Sequence, residues 1–240
     1  MIQIKNKKKI TLGLVAARKN STEVRNKNLI RIKGIEITKK ATLLAISNNM
    51  INSVVLSSDS DKILSLISNK NKKLLKLKRS RKLATKNSPM LPVIRDAINF
   101  YEKKFNNKIV SEVVLFDPTS PLRINSDILK AIRIFKLKKP DLLISVHKAK
   151  HNPYFSMLEK KSKYYELCKN SKKNPGSRQE VKKVYEINTI VWIYSRNAIL
   201  KEKKRIPKKT LIIETETERS LDIDTYDDVI KIKNYLKNNK

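Results

Sequence analysis

Short apolar runs alternate with longer segments of helical periodicity through most of the chain. A short, continuous apolar run predicts a buried strand, and apolar residues that recur every three or four positions predict a helix. The predicted strands are residues 10–16, 53–56, 74–77, 111–116, 142–146 and 184–194. The predicted helices are residues 38–48, about 61–68 after a cap at Asp59 or Ser60, 90–105, 126–137 and 225–236. This alternation predicts an α/β fold, with a mostly parallel, Rossmann-like sheet and helices on both faces.

Residues 147–183 interrupt the alternation. The segment is polar and contains Pro153, Pro175 and Gly176. We interpret residues 1–240 as a single domain and this segment as an excursion from its sheet. The excursion also carries apolar side chains that a short segment cannot bury by itself: Tyr154, Phe155, Met157 and Leu158. We therefore expect the excursion to mediate a homodimer.

Glycine is scarce: the chain has three, where average usage of ~7% would give several times more. The sequence contains no Gly-x-Gly-x-x-Gly and no Walker motif, so we expect any bound phosphate to be held by side chains and helix N-termini. The single Cys168 excludes an intrachain disulfide and a multi-cysteine zinc site. The two histidines, His147 and His151, lie in one segment. A metal ion, if bound, is expected to be a hard one held by carboxylates.

The formal net charge is +33, from 55 Lys and Arg against 22 Asp and Glu. Only 12 of these cations are Arg, and the aromatic residues do not alternate with them as stacking platforms would. We interpret most of the charge as a solvated surface and expect no dedicated nucleic-acid partner. No apolar run approaches the ~18 residues of a membrane span, and the basic first residues lack a signal-peptide core, so we expect a cytoplasmic protein without a membrane partner.

Three loops follow predicted strands or precede the last helix, and ligands of open α/β sheets bind at the carboxyl ends of strands. The first loop, residues 17–28, carries Arg18, Arg25 and Lys27, a charge that suits a triphosphate. Asn20 has the side chain that best tolerates a left-handed backbone in such a loop. The alternative is a solvated basic loop, and charge alone favours that alternative.

The second loop, residues 117–123, has two prolines that present Thr119 and Ser120 rigidly; the alternative is a rigid turn in which Arg123 is structural. The third contains Asp222 and Asp224, whose side chains share one face in extended backbone. Such a pair is costly without a cation, which makes it the best candidate metal site. The alternative is a pair of surface acids that offset nearby lysines, and because Asp-x-Asp is common, spacing alone favours that alternative.

Together these loops resemble the CMP-sialic acid synthetase (acylneuraminate cytidylyltransferase) family, over nearly the whole chain and with the motifs in order. The run at 118–123, Pro-Thr-Ser-Pro-Leu-Arg, matches that family without a change. The other matching motifs are Ala17-Arg18, Ser21 and Lys27-Asn28, Ser57-Ser58-Asp59, Arg79 with Leu83-Ala84, Arg178-Gln179, Tyr185, Asn188, and Asp222-Ile223-Asp224. The resemblance implies a nucleotide-diphospho-sugar transferase-like fold and an enzyme that joins CTP to a nonulosonic acid sugar, releasing pyrophosphate, for cell-surface polysaccharide biosynthesis.

The resemblance also implies roles for individual residues. Arg18 and Lys27 would be catalytic, and Mg²⁺ would be held by Asp222 and Asp224. The residues implied to bind the nucleotide are Ala17, Arg18, Asn20, Ser21, Lys27, Asn28, Arg79 and Ser88. The residues implied to bind the sugar are Asp117, Thr119, Ser120, Arg178, Asn188 and Trp192, with Arg178 at the sugar carboxylate.

Several positions depart from the family pattern: Lys19, Asn20, Thr22, Glu23, Ser80, Lys86, Thr189 and Trp192. Asp117 stands where sialic acid enzymes often have glutamine, and with Asn152-Pro153-Tyr154-Phe155 it is more similar to the branch that acts on legionaminic acid. The alternative from another class is a non-catalytic basic protein that binds nucleotide or nucleic acid and retains the fold. Against it, Arg18, Lys27 and both aspartates are present.

Overall fold

A computed structural model describes residues 7–20, 23–170, 176–177, 179–201 and 204–239. Its strands are β1 (Lys8–Ala16), β2 (Arg31–Ile32), β3 (Ile35–Glu36), β4 (Ser53–Ser58), β5 (Leu74–Lys78), β6 (Lys108–Leu115), β7 (Leu142–Lys148), β8 (Leu158–Lys161), β9 (Tyr164–Leu167), β10 (Tyr185–Ser195) and β11 (Thr210–Glu214). Its α-helices are α1 (Ile37–Ser47), α2 (Asp61–Leu64), α3 (Met90–Lys104), α4 (Asn125–Lys138), α5 (Arg196–Lys201) and α6 (Tyr226–Asn238).

Seven strands form the central sheet, in the order β11-β7-β10-β6-β1-β4-β5. Neighbouring strands are parallel except where β10 pairs with β6 and β7. Tyr185, the first residue of β10, lies opposite Lys148, the last residue of β7. The segment between them therefore leaves the sheet and re-enters it at the same end of these two strands. A connection of that kind makes the two strands antiparallel. The sheet confirms the prediction of a mostly parallel α/β fold.

Helices cover both faces of the sheet. Leu12 and Leu14 of β1 pack in one buried cluster with Ala97 of α3. Val15 of the same strand packs in the other cluster with Ala41 of α1. Because successive side chains of a strand point to opposite faces, the two clusters lie on the two sides of the sheet.

The helix predicted after β4 is shorter than expected. Ser60 caps it, as the sequence indicates, but α2 covers only four residues. Ser65, Ser68 and Asn69 follow, and these residue types favour turns over helix interiors. The sequence does not predict α5 or β11. Six residues are too few to show a helical period, and the apolar run of β11 is only three residues long.

The excursion contains a small hairpin of β8 and β9, separate from the central sheet. Its apolar side chains are exposed: Met157 by 43%, Leu158 by 63%, Tyr164 by 66% and Tyr165 by 63%. The homodimer that we expect from this segment stays a prediction. Among the described residues, no helix combines the length and apolarity needed to cross a bilayer.

Candidate functional site

A cleft of about 460 Å³ opens at the carboxyl ends of β1, β4 and β6. Ligands of open α/β sheets bind at this edge. The cleft brings together nine of the residues proposed from the sequence: Arg18, Lys27, Asn28, Arg79, Ser88, Asp117, Thr119, Asp222 and Asp224. These residues come from segments far apart in the chain, so the fold assembles them into one site.

Hydrogen bonds fix the backbone of the first loop near both of its ends. The Asn28 side-chain amide donates to the backbone carbonyl of Arg18 over 2.9 Å, and the Thr38 hydroxyl donates to the carbonyl of Asn28 over 2.6 Å. The backbone N–H of Lys19 donates to Oδ1 of Asp59 over 2.7 Å. Arg18 is therefore presented from a loop whose path is fixed by hydrogen bonds.

Two residues of this loop, Ala17 and Asn20, do not lie where they are expected. The side chain of Ala17 is buried in the core, because the backbone is still hydrogen-bonded to β4 at this point, and it does not line the cleft. Asn20 is exposed, is not among the lining residues, and does not have a left-handed backbone. Asn26 takes that conformation instead, with φ 55°, where the chain enters the turn that carries Lys27. Ser21 lies outside the described residues.

Arg79 is nearly fully buried at the floor of the cleft. Its Nη2 donates to the carbonyl of Ser57 over 2.7 Å, and its Nε donates to Oγ of the same residue over 3.1 Å. Burial lowers the pKa of Arg79 below its usual value. A guanidinium whose orientation is fixed in this way presents its remaining N–H groups in defined directions.

The third loop confirms that both aspartates face one cleft. Ile223 is fully buried in a separate core, and its N–H donates to the carbonyl of Thr119 over 2.9 Å. Asp222 and Asp224 flank it and line the cleft. The alternation of side chains along the backbone therefore buries the isoleucine and directs both carboxylates to the site.

The two carboxylates have different surroundings. Asp224 is exposed and lies 2.8 Å from Nζ of Lys27. Asp222 is largely buried; its Oδ1 accepts hydrogen bonds from Ser120 and, over 2.6 Å, from Thr189. Burial raises the pKa of Asp222, and the nearby Asp117 adds to the shift, while the hydroxyl donors oppose it. Repulsion from Asp224, which the two-residue spacing suggests as a cause, is not the main cause of the raised pKa of Asp222.

The chemistry of this donor set suits Mg²⁺. The ion prefers oxygen ligands and usually takes one or two carboxylates from a protein, with substrate phosphates and water completing its shell. Asp222 and Asp224 supply that number. Among the described residues, no group of three or more His, Cys, Asp or Glu side chains forms a site for a more fully enclosed ion.

Buried residues of the second loop, residues 117–123, hold the site residues in place from the protein interior. Ser120 is 3% exposed and does not line the cleft, and its hydroxyl donates to Asp222. Its expected contact with the sugar stays a prediction. Arg123 is also buried, and it donates to the carbonyls of Ile190, Thr189 and Asp117. The structural alternative for Arg123 is confirmed.

A second cleft, of about 280 Å³, opens beside the first, and Met90, Asp117 and Thr189 line both. The rest of its wall is Leu115, Trp192, Tyr194 and Arg205. Trp192 therefore lines a cleft beside the first, whereas Asn188 is 2% exposed and its side chain bonds to Ser145, Thr215 and Ser220 in the interior. The expected contacts of both residues with the sugar stay predictions. Arg178 lies outside the described residues.

Sequence reasoning missed Met90 and Arg205 as lining residues. Met90 is the first residue of α3 and looks like any apolar helix residue. Arg205 lies in an irregular stretch before β11, among many other cations. No signal in the sequence marks either one. Three positions that depart from the resembled family, Glu23, Lys86 and Thr189, also line the first cleft.

No family model matches the chain. A Campylobacter jejuni protein named CMP-N,N'-diacetyllegionaminic acid synthase is 30% identical over 214 residues, covering 89% of each chain. Post-translational flagellin modification protein B of Campylobacter coli is 29% identical over 214 residues, again covering 89% of each. An N-acylneuraminate cytidylyltransferase of Streptococcus agalactiae is 24% identical over 226 residues, covering 93% of this chain and 52% of that one.

Two solved structures share the fold. One is a CMP:2-keto-3-deoxy-manno-octonic acid synthetase in complex with CTP, with a TM-score of 0.65 and 10% identity, covering 96% of this chain and 100% of that one. The other is the 4-diphosphocytidyl-2C-methyl-D-erythritol synthase of Anaerococcus prevotii, with a TM-score of 0.62 and 17% identity, covering 95% and 99%. At these identities the likeness is one of fold.

Proposed function

This chain belongs to the CMP-sialic acid synthetase family and is a nucleotidyltransferase, and we propose that it joins CTP to a nonulosonic acid, a nine-carbon α-keto acid sugar. The observation that carries the proposal is the pair of joined clefts. One is lined by cations and by two carboxylates that suit a metal ion, and the other has a largely apolar wall. A transferase of this kind needs two sites, one for a triphosphate and one for a sugar, that meet at the reacting atoms.

In the proposed reaction, the anomeric hydroxyl oxygen of the sugar forms a bond to the α-phosphorus of CTP. The bond from that phosphorus to the β-phosphate oxygen breaks, pyrophosphate leaves, and the hydroxyl proton is released. Arg18 and Lys27 offset the charge on the phosphates, so their contribution is positioning and electrostatics. We assign Asn28, Arg79 and Ser88, which line the same cleft, to the nucleoside.

We propose that Asp222 and Asp224 hold Mg²⁺. The bound ion would supply positive charge to the phosphate oxygens. Within the chain itself, Lys27 already pairs with Asp224. Lys27 and Asp224 therefore have to separate for each to reach its own partner.

On the sugar side, we assign Asp117, Thr119 and Trp192 to the substrate and Arg178 to its carboxylate, since bidentate recognition of carboxylates is what arginine does well. We propose a sugar of the legionaminic acid type. Its support is Asp117 and the relative that is 30% identical and is named as a synthase of that CMP-sugar. We propose that the enzyme works in the cytoplasm, where CTP is available. We also propose that it is a homodimer.

The test is pyrophosphate release from CTP and Mg²⁺ with a panel of nonulosonic acids. We expect release with at least one sugar of the panel, and a loss of about 10²-fold or more in kcat/KM for Lys27→Ala. Lys19→Ala is the matched control, because Lys19 is an exposed cation of the same loop that does not line the cleft. Folded wild-type protein that releases no pyrophosphate with any sugar would instead favour a non-catalytic binding protein.

A further inference from the structure

The second cleft has opposite charges in an otherwise largely apolar wall. Its acid is Asp117 and its cation is Arg205. The other residues that line it are Met90, Leu115, Thr189, Trp192 and Tyr194. A ligand that fills this cleft meets a hydrogen-bond acceptor, a donor and apolar surface.

Arg205 is held in place from two sides. Its guanidinium carbon lies 4.6 Å from the centroid of the Trp192 ring, a cation–π contact. Its backbone carbonyl accepts a hydrogen bond from the hydroxyl of Tyr194 over 2.8 Å. Burial raises the pKa of Tyr194 to about 12, so this phenol is a protonated donor at neutral pH.

The N–H groups of Arg205 are oriented but not used by a carboxylate of the chain. The guanidinium carries five N–H donors, and a cation–π contact with Trp192 needs no hydrogen-bond acceptor, so N–H groups remain for a ligand. Among the described residues, no Asp or Glu forms an ion pair with Arg205. The cation is therefore positioned at the cleft without an internal partner of opposite charge.

We propose that Arg205 is a specificity-determining residue that recognises an N-acyl amino group on the sugar. An amide offers an N–H donor for Asp117, a carbonyl acceptor for Arg205, and a methyl group for the face made by Met90 and Trp192. The sugar's carboxylate fits less well, because Asp117 in the same cleft would repel it. This inference rests on the proposed function, and it names the substituent that the second cleft selects.

The experiment uses two nonulosonic acids that differ at one carbon, where one carries an acetamido group and the other a hydroxyl group. The kcat/KM for each sugar is measured at saturating CTP and Mg²⁺ for wild type, Arg205→Ala and Arg133→Ala. Arg133 is the matched control because it is an exposed arginine of α4 that lines neither cleft.

We expect wild type to prefer the acetamido sugar. Arg205→Ala should lose about tenfold or more on that sugar and less than about twofold on the hydroxyl analogue, with the KM for CTP unchanged, because a hydrogen bond to a charged donor is lost on only one substrate. Arg133→Ala should keep the wild-type preference. The melting temperature of Arg205→Ala should match wild type, since the backbone carbonyl that accepts from Tyr194 is retained.

Equal losses on both sugars would overturn the inference, because Arg205 would then contact a group that both share, such as the carboxylate. No loss on either sugar would overturn it as well. Both outcomes leave the proposed function intact. Failure of the proposed function is visible separately, as a wild-type enzyme that turns over neither sugar with CTP.

Discussion

Asp222 and Asp224 stand two positions apart and line one cleft, but the fold gives them different properties. Asp224 is exposed beside Lys27, whereas Asp222 is enclosed and held by two hydroxyl groups. Identical residue types at a short spacing therefore differ because of what packs around them. Because burial raises the pKa of Asp222, the protonation of this carboxylate is coupled to folding.

Replacing Asp222 should stabilise the metal-free protein. Burial raises its pKa above the ordinary value of 3.8. A carboxyl with a raised pKa in the folded chain contributes most to stability while both states are protonated, and this contribution is lost as the pH rises through the raised pKa. Asp222→Asn removes that cost at neutral pH, and its side-chain carbonyl can still accept from Ser120 and Thr189.

The measurement is urea unfolding with a chelator present, at pH 7 and near pH 4. We expect the free energy of unfolding of Asp222→Asn to exceed that of wild type at pH 7, and the difference to narrow at the lower pH. Asp224→Asn, at the exposed carboxylate, is the control and should show a smaller difference. A wild type more stable than Asp222→Asn at pH 7 would show that burial does not dominate this carboxylate.

At the scale of elements, the loop at 117–123 leads from β6 to α4 and packs against β10, the strand beside β6. Arg123 joins the two by donating to carbonyls of the loop and of β10. Burial lowers the pKa of Arg123 to about 10, which still leaves it protonated at neutral pH. The Pro-Thr-Ser-Pro-Leu-Arg run is therefore a support for the residues that face the clefts as much as a part of them.

We predict that Arg123→Leu destabilises the protein by about 2 kcal/mol or more, because the buried carbonyl of Ile190 and the part-buried carbonyl of Thr189 lose their donor and each unsatisfied group costs about 1–3 kcal/mol. The carbonyl of Asp117 still accepts from the N–H of Ser120. Urea unfolding measures the change. Arg133→Leu, at an exposed position of α4, is the control and should change stability little. A loss of less than about 1 kcal/mol for Arg123→Leu would mean that water replaces the guanidinium.

The elements that sequence reasoning identified are those with long or strongly apolar patterns, such as β1, β6 and α3. It missed α5, which is too short to show a helical period, and β11, whose apolar run is only three residues long. In the site, charge alone favoured solvated loops, and the order of the family's motifs is what indicated Arg18, Lys27 and the two aspartates. Ser120 and Asn188 lie in the interior, which the sequence does not indicate because a polar side chain that bonds inside the protein has the same sequence signal as one that faces a ligand.

At the scale of the whole molecule, the hairpin of β8 and β9 leaves apolar side chains exposed, and we predict that it forms a dimer interface. Wild type should sediment at about twice 27.8 kDa at micromolar concentration. The double variant Leu158→Glu, Tyr164→Glu should sediment as a monomer, because burying two carboxylates in an apolar contact is costly. Leu137→Glu, at a residue 76% exposed at the end of α4, is the control. A wild-type monomer would contradict this prediction.

The central claim is that the two joined clefts bring CTP and a nonulosonic acid together so that CMP passes to the sugar. The most direct measurement follows the α-phosphorus, using CTP labelled at that position, Mg²⁺ and the sugar. The account predicts that the label enters a sugar-linked product, in a one-to-one ratio with the pyrophosphate released, and that Asp224→Asn slows both together. Label that stays in CTP, or that appears as free CMP whether or not sugar is present, would contradict it.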